Sequence, residues 1–160
     1  MNDRRDALQQ GLAPREEELR GLGFRHPLDE EKGPICRWKF LGIKVDVMPT
    51  EGAVLGFNNR WYGDGMAHAQ SVTLPDGQEV LAFSPPYLLA SKLAAFRDRG
   101  HDDYLTSPDI EDIVALLDGC PDIEQEIQRA PQNVRDCLAE EFVRLSANAD
   151  FSYSLDGHLG

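Results

Sequence analysis

Ile43-Lys44-Val45-Asp46-Val47-Met48-Pro49 is the stretch on which the fold turns. Ile43, Val45 and Val47 alternate with Lys44, Asp46 and Met48, so a strand here points the two sets to opposite faces. Pro49 ends it, because proline donates nothing to a ladder. Asp46 therefore leaves the valine face. A carboxylate removed from water must be paired, bound to a metal or protonated, which makes Asp46 a candidate site residue. The plain alternative is a solvated acid on the wet side of an antiparallel sheet.

Working outward, Ile35 to Phe40 alternates in the same way, with Cys36, Trp38 and Phe40 on one side and Ile35, Arg37 and Lys39 on the other. Leu41-Gly42 then joins the two runs as a two-residue hairpin connection, a weaker match to the favoured turns than Asn-Gly. A second hairpin is expected downstream, where residues 69–74 and 78–83 flank Pro75-Asp76-Gly77. Upstream, residues 3–20 are charged and helix-prone, with a break at Gly11 and Pro14 and stop signals at Gly21 and Gly23. Residues 24–33 read as a polar loop. Between the hairpins, residues 50–65 are aromatic without periodicity; Asn59, Arg60 and Tyr62 either pack there or offer polar groups to a ligand.

The second half reads as helices. Ser84 is placed as the cap of a helix with Pro85 at its first position; the helix runs to about Arg99, with Leu88, Leu89, Leu93 and Phe96 as its apolar stripe. Lys92 lies at the edge of that stripe, either snorkelling to water or serving as a phosphate-binding cation. Ser107-Pro108-Asp109 repeats the device, and Asp109 and Asp112, three apart, share a face of the new helix. Asp109 is in the first turn, where the helix dipole welcomes an acid; Asp112 has no such simple account. A short helix over 122–130 and a last one after Pro131, carrying Val134, Cys137, Leu138, Phe142 and Leu145, complete the pattern, and 148–160 reads as a frayed polar tail. The expected fold class is α+β, a small mixed or antiparallel sheet packed by helices. The expected organisation is one domain over 1–160, sheet-bearing to residue 100 and helical over 101–147.

With 28 acidic and 16 basic residues the formal charge is -12, which disfavours tight nonspecific binding to DNA or to an anionic membrane. No run approaches the roughly 18 apolar residues of a membrane span, and Met1-Asn2-Asp3-Arg4-Arg5 is followed by no signal-peptide core; a cytoplasmic chain is expected. Cys36, Cys120 and Cys137 are widely spaced and without a C-x-x-C pair, and are read as reduced. The motifs of serine hydrolases, P-loop proteins, Rossmann proteins and zincins are all missing from the sequence.

Several spaced segments carry a resemblance: Gly23-Phe24-Arg25, Val45-Asp46-Val47-Met48-Pro49, Phe57-Asn58-Asn59-Arg60-Trp61-Tyr62, the run from Pro86 to Arg97, and Asp109-Ile110-Glu111-Asp112-Ile113. Together, over residues 20 to about 147, they resemble bacterial nucleotidyltransferase-fold proteins of the AbiEii toxin type. The resemblance implies a DNA polymerase β-like core and nucleotidyl transfer from an NTP, with Mg²⁺ held by three acids. It implies a toxin-antitoxin component whose acceptor is RNA or protein and whose partner is an antitoxin. Asp46 matches the third acid and so a metal ligand; Lys92 matches a lysine that contacts nucleotide phosphates; Asp109 and Asp112 match the acids of the helix that closes the site. Such chemistry suits these side chains, since Mg²⁺ takes oxygen ligands and a lysine offers point charge to phosphate. Residues 1–34 contain neither the Gly-Gly or Gly-Ser loop nor the D-x-D strand of the family. Three accounts fit that departure: an internal start, a partner chain that supplies the missing half, or a relative kept as a nucleotide-binding or protein-interaction module.

Overall fold

The computed structural model describes residues 16–27, 36–48, 59–100 and 102–158. The chain divides into two compact units, residues 1–58 and residues 59–160. It is an α+β protein, but the expected sheet is two separate two-stranded antiparallel sheets, one in each unit.

In the first unit, β1 (Arg37–Phe40) pairs with β2 (Ile43–Asp46) in a register that sets Arg37 opposite Asp46 and Trp38 opposite Val45. Leu41 and Gly42 both take positive φ, 48° and 84°, the backbone of a type I′ connection that matches strand twist. Trp38 and Cys36 are buried on one face while Asp46 and Lys44 lie exposed on the other, so the face assignment made from alternation holds. A short helical segment over 16–21 precedes the hairpin. Gly23, at φ 94°, turns the chain after it, and Arg25 then bridges Lys39 on the free edge of β1 through backbone hydrogen bonds of 2.9 and 2.7 Å.

In the second unit, α1 (Trp61–Ala67) leads into β3 (Gln70–Thr73) and β4 (Glu79–Ala82), joined by the expected Pro75-Asp76-Gly77 turn. Four longer or shorter helices then form: α2 (Pro85–Arg99), α3 (Pro108–Gly119), α4 (Ile123–Arg129) and α5 (Gln132–Ser146). Helix α2 is the centre of this unit, touching α1, α3, α4 and α5. Its Leu89, Ala90, Leu93 and Phe96 pack with Ile110, Ile113 and Val114 of α3 and Val134 and Leu138 of α5. Several of these are wholly buried, each contributing roughly 1.5–3 kcal/mol relative to exposure. Among the described residues no helix is long and apolar enough to cross a membrane.

Two expectations are corrected. The segment after Asn148 is a helix, α6 (Ala149–His158), rather than a frayed tail. The Asn148 carboxamide oxygen accepts from the amides of Asp150 and Phe151 at 2.8 and 3.2 Å, an N-cap, and Phe151 is buried against Tyr104 at 6.3 Å between ring centroids. Ser84 and Ser107 stand at the cap positions of α2 and α3 with extended backbones, but neither hydroxyl caps. Pro85 and Pro86 have no amide hydrogen to give Ser84, and Ser107 receives the Ile110 amide on its backbone carbonyl at 3.1 Å.

Candidate functional site

Three of the four residues singled out by sequence meet in the second unit. Lys92, mid-way along α2, places its ammonium against the carboxylate of Asp112 and 3.7 Å from Asp109. The three-residue spacing of the two acids puts both on the face of α3 that meets α2. Arg99, two turns after Lys92, donates two hydrogen bonds of 2.9 Å to Asp109, one to each carboxylate oxygen. This pairing raises the Arg99 pKa further above its ordinary value and keeps the guanidinium charged. Two cations and two carboxylates make the cluster locally neutral.

Burial separates the two acids. The side chain of Asp109 is 4% exposed and that of Asp112 52%. Asp109 can be buried because a guanidinium fork and an ammonium cover it, the condition a desolvated carboxylate needs. Beside it lies an open cavity of about 420 Å³ lined by Arg99, Asp103, Thr106, Ser107 and Asp109. Asp103 shapes its rim, accepting from the amides of Leu105 and Thr106 at 3.1 and 2.9 Å and from the Thr106 hydroxyl. These bonds hold the Asp103 carboxyl below its usual range.

Asp46 belongs to the first unit. Arg37, its cross-strand neighbour, gives it two hydrogen bonds of 2.8 Å, one to each oxygen. The guanidinium holds the Asp46 carboxyl below the usual range, outweighing the effect of partial burial. Mg²⁺ demands near-octahedral oxygen coordination. Asp46 has both oxygens engaged by a cation, and among the described residues no three His, Cys, Asp or Glu are grouped to hold a metal ion. The described residues thus do not fit a Mg²⁺ cage.

Asn59 and Arg60 are used in packing. The buried Asn59 amide donates to the Ser91 carbonyl at 2.7 Å and its oxygen accepts from the Trp61 amide at 3.1 Å. Arg60 lies over the Trp61 ring and donates to the Cys137 sulfur at 3.1 Å. Tyr62 lies 6.3 Å from Phe83, ring to ring. Sequence reasoning missed Glu141, which is buried on α5 and receives Arg97 at 2.7 Å and Arg144 at 3.5 Å. Its signal was present: an acid seven residues after Val134 and four before Leu145, inside the apolar stripe.

No protein-family model, curated protein or solved structure matches the chain.

Proposed function

We propose that the chain is a nucleotidyltransferase-like protein of the toxin-antitoxin type, acting in the cytoplasm, whose helical unit binds the phosphates of an NTP. One observation carries this: Lys92, Asp109 and Asp112, drawn from two helices, converge in one cluster, and its Asp109 also lines an open cavity. Lys92 is held at 29% side-chain exposure by acids on one side, so its charge is placed without being sealed. Nucleotidyl transfer requires carboxylates grouped around Mg²⁺, and on this reading those acids come from outside the described residues. On this reading the acceptor is RNA or protein, an antitoxin restrains the activity, and the chain acts only when its acid set is completed.

The test is calorimetric titration of the four NTPs, each with Mg²⁺, into the full chain, followed by transfer of labelled nucleotide to RNA and to protein. One or more NTPs bind saturably, and Lys92→Ala weakens that binding roughly tenfold, about 1.4 kcal/mol. Absence of saturable binding by all four NTPs overturns the reading.

A second reading is favoured by the neutrality of the same cluster. Lys92 and Arg99 are already satisfied by Asp109 and Asp112, as in an interhelical clamp, which is what a non-enzymatic protein-interaction module would need. That reading predicts that Lys92→Ala lowers stability and changes no nucleotide affinity.

A further inference from the structure

A second cavity, of about 430 Å³, lies where the start of α2 meets β3 and α4. Its polar lining is His68, Gln70, Ser84, Tyr87, Glu126 and Arg129, and its apolar wall is formed by prolines and alanines. None of these residues belongs to the Lys92 cluster.

We propose that this cavity binds a phosphoryl group. Ser84 is 8% exposed, lines the cavity, and its hydroxyl makes no cap bond. It stands at the positive end of a helix of 15 residues, where anions are favoured, and the first amide hydrogen of that helix is on Tyr87, since Pro85 and Pro86 have none. Arg129 on α4 supplies the charge. Its guanidinium stands 3.8 Å from Glu126 with its side chain 72% exposed, a loose pairing from which it can turn to an anion.

His68 completes the set. Its Nδ1 lies 2.8 Å from the backbone oxygen of Asp64 and 3.1 Å from the Tyr87 hydroxyl. A carbonyl oxygen accepts and never donates, so Nδ1 carries the hydrogen and Nε2 is the unprotonated nitrogen of the neutral ring. Nε2 can accept from a phosphate hydroxyl. A carboxylate has two oxygens to offer the groups lining this cavity, whereas a phosphoryl group presents three or four. The cavity is larger than inorganic phosphate, leaving room for the remainder of a phosphomonoester.

The experiment is an NMR titration of the full chain with inorganic phosphate and, separately, with AMP, at constant ionic strength. Both ligands are expected to shift the amides of Tyr87, His68 and Arg129 saturably, with a Kd on the order of 1 mM. AMP binding more tightly identifies a phosphomonoester as the ligand; equal binding identifies free phosphate. Arg129→Ala and Ser84→Ala each weaken binding about fivefold. Glu126→Gln tightens it, because a competing carboxylate is gone, and loss of structure would not produce that gain. The Arg129 side chain is exposed, so its variant keeps the test valid if Ser84→Ala fails to fold. The proposal is overturned if neither ligand saturates, if AMP binds and inorganic phosphate does not, or if Arg129→Ala binds as the wild type does. NTP binding at the Lys92 cluster can fail without touching this result, since the shifted amides belong to different residues.

Discussion

Arg99 and Asp109 are joined by two parallel hydrogen bonds across the loop between α2 and α3, with the carboxylate buried and the arginine side chain largely in water. The asymmetry decides which partner matters. Removing Arg99 leaves a buried carboxylate with Lys92 at 3.7 Å as its remaining cation, and an under-satisfied buried charge costs more than a surface ion pair gains. Arg99→Ala is expected to lower unfolding free energy by about 1–2 kcal/mol in urea denaturation. Arg99→Lys keeps the charge and loses the fork, so it should fall between wild type and alanine. A lysine variant no more stable than the alanine variant would show that the second hydrogen bond, and not the charge, is what holds the corner.

Asp46 offers a pH test in the other unit. Arg37 lowers its pKa below the ordinary 3.8, so the folded state binds this proton less readily than the unfolded chain. Stability from the pair is therefore fully present above pH 3.8 and is lost as pH falls through the lower folded value. Because the pair is substantially exposed, the energetic effect is small, and the titration itself is the better readout. Carboxyl-carbon NMR should place the Asp46 midpoint below 3.8 in the wild type and return it toward that value in Arg37→Gln. A midpoint unmoved by the substitution would mean that the guanidinium does not hold the carboxylate in solution.

Much of this arrangement could be read from residue order because it rests on local chemistry. Alternation placed Trp38 and Asp46 on opposite faces, and the two turns placed both hairpins. Three-residue spacing put Asp109 and Asp112 on one face. What it could not carry was which face meets which helix: the helix dipole accounted for Asp109 and nothing so simple for Asp112, whereas in the structure a guanidinium from ten residues earlier covers a buried Asp109 and the Lys92 ammonium pairs with Asp112. The same limit hid Glu141, whose partners Arg97 and Arg144 are set by packing. Helix α6 was missed for a different reason. Its residues are small and polar, and the informative signals were the Asn148 cap and the apolar pair Phe151 and Leu155, one turn apart.

The Leu41-Gly42 turn predicts a gain of stability. Leu41 is 86% exposed with φ at 48°, a left-handed conformation that costs a side chain such as leucine roughly 1–2 kcal/mol. It buries nothing in return. Asparagine tolerates this region and is favoured before glycine in type I′ turns. Leu41→Asn should therefore protect the β1–β2 amides further from hydrogen exchange, by up to about 1 kcal/mol. Unchanged or faster exchange at Val45 and Val47, whose amides face β1, would contradict the turn geometry.

Helix α1 provides a paired comparison in which two glycines of one helix are expected to answer alanine in opposite ways. At Gly63 an added Cβ meets nothing within 4 Å, whereas at Gly65 it would stand 2.8, 2.9 and 3.1 Å from three atoms of the Phe83 ring. Alanine gains about 1 kcal/mol of helix propensity over glycine at either position. At Gly65 that gain is opposed by overpacking, which costs typically 1–3 kcal/mol, and the ring cannot relieve three contacts by moving one atom. Gly63→Ala should stabilise by up to about 1 kcal/mol and Gly65→Ala should destabilise by roughly the same amount, both read as shifts of the urea midpoint at constant slope. If the two variants move the midpoint together, Phe83 does not pack on α1.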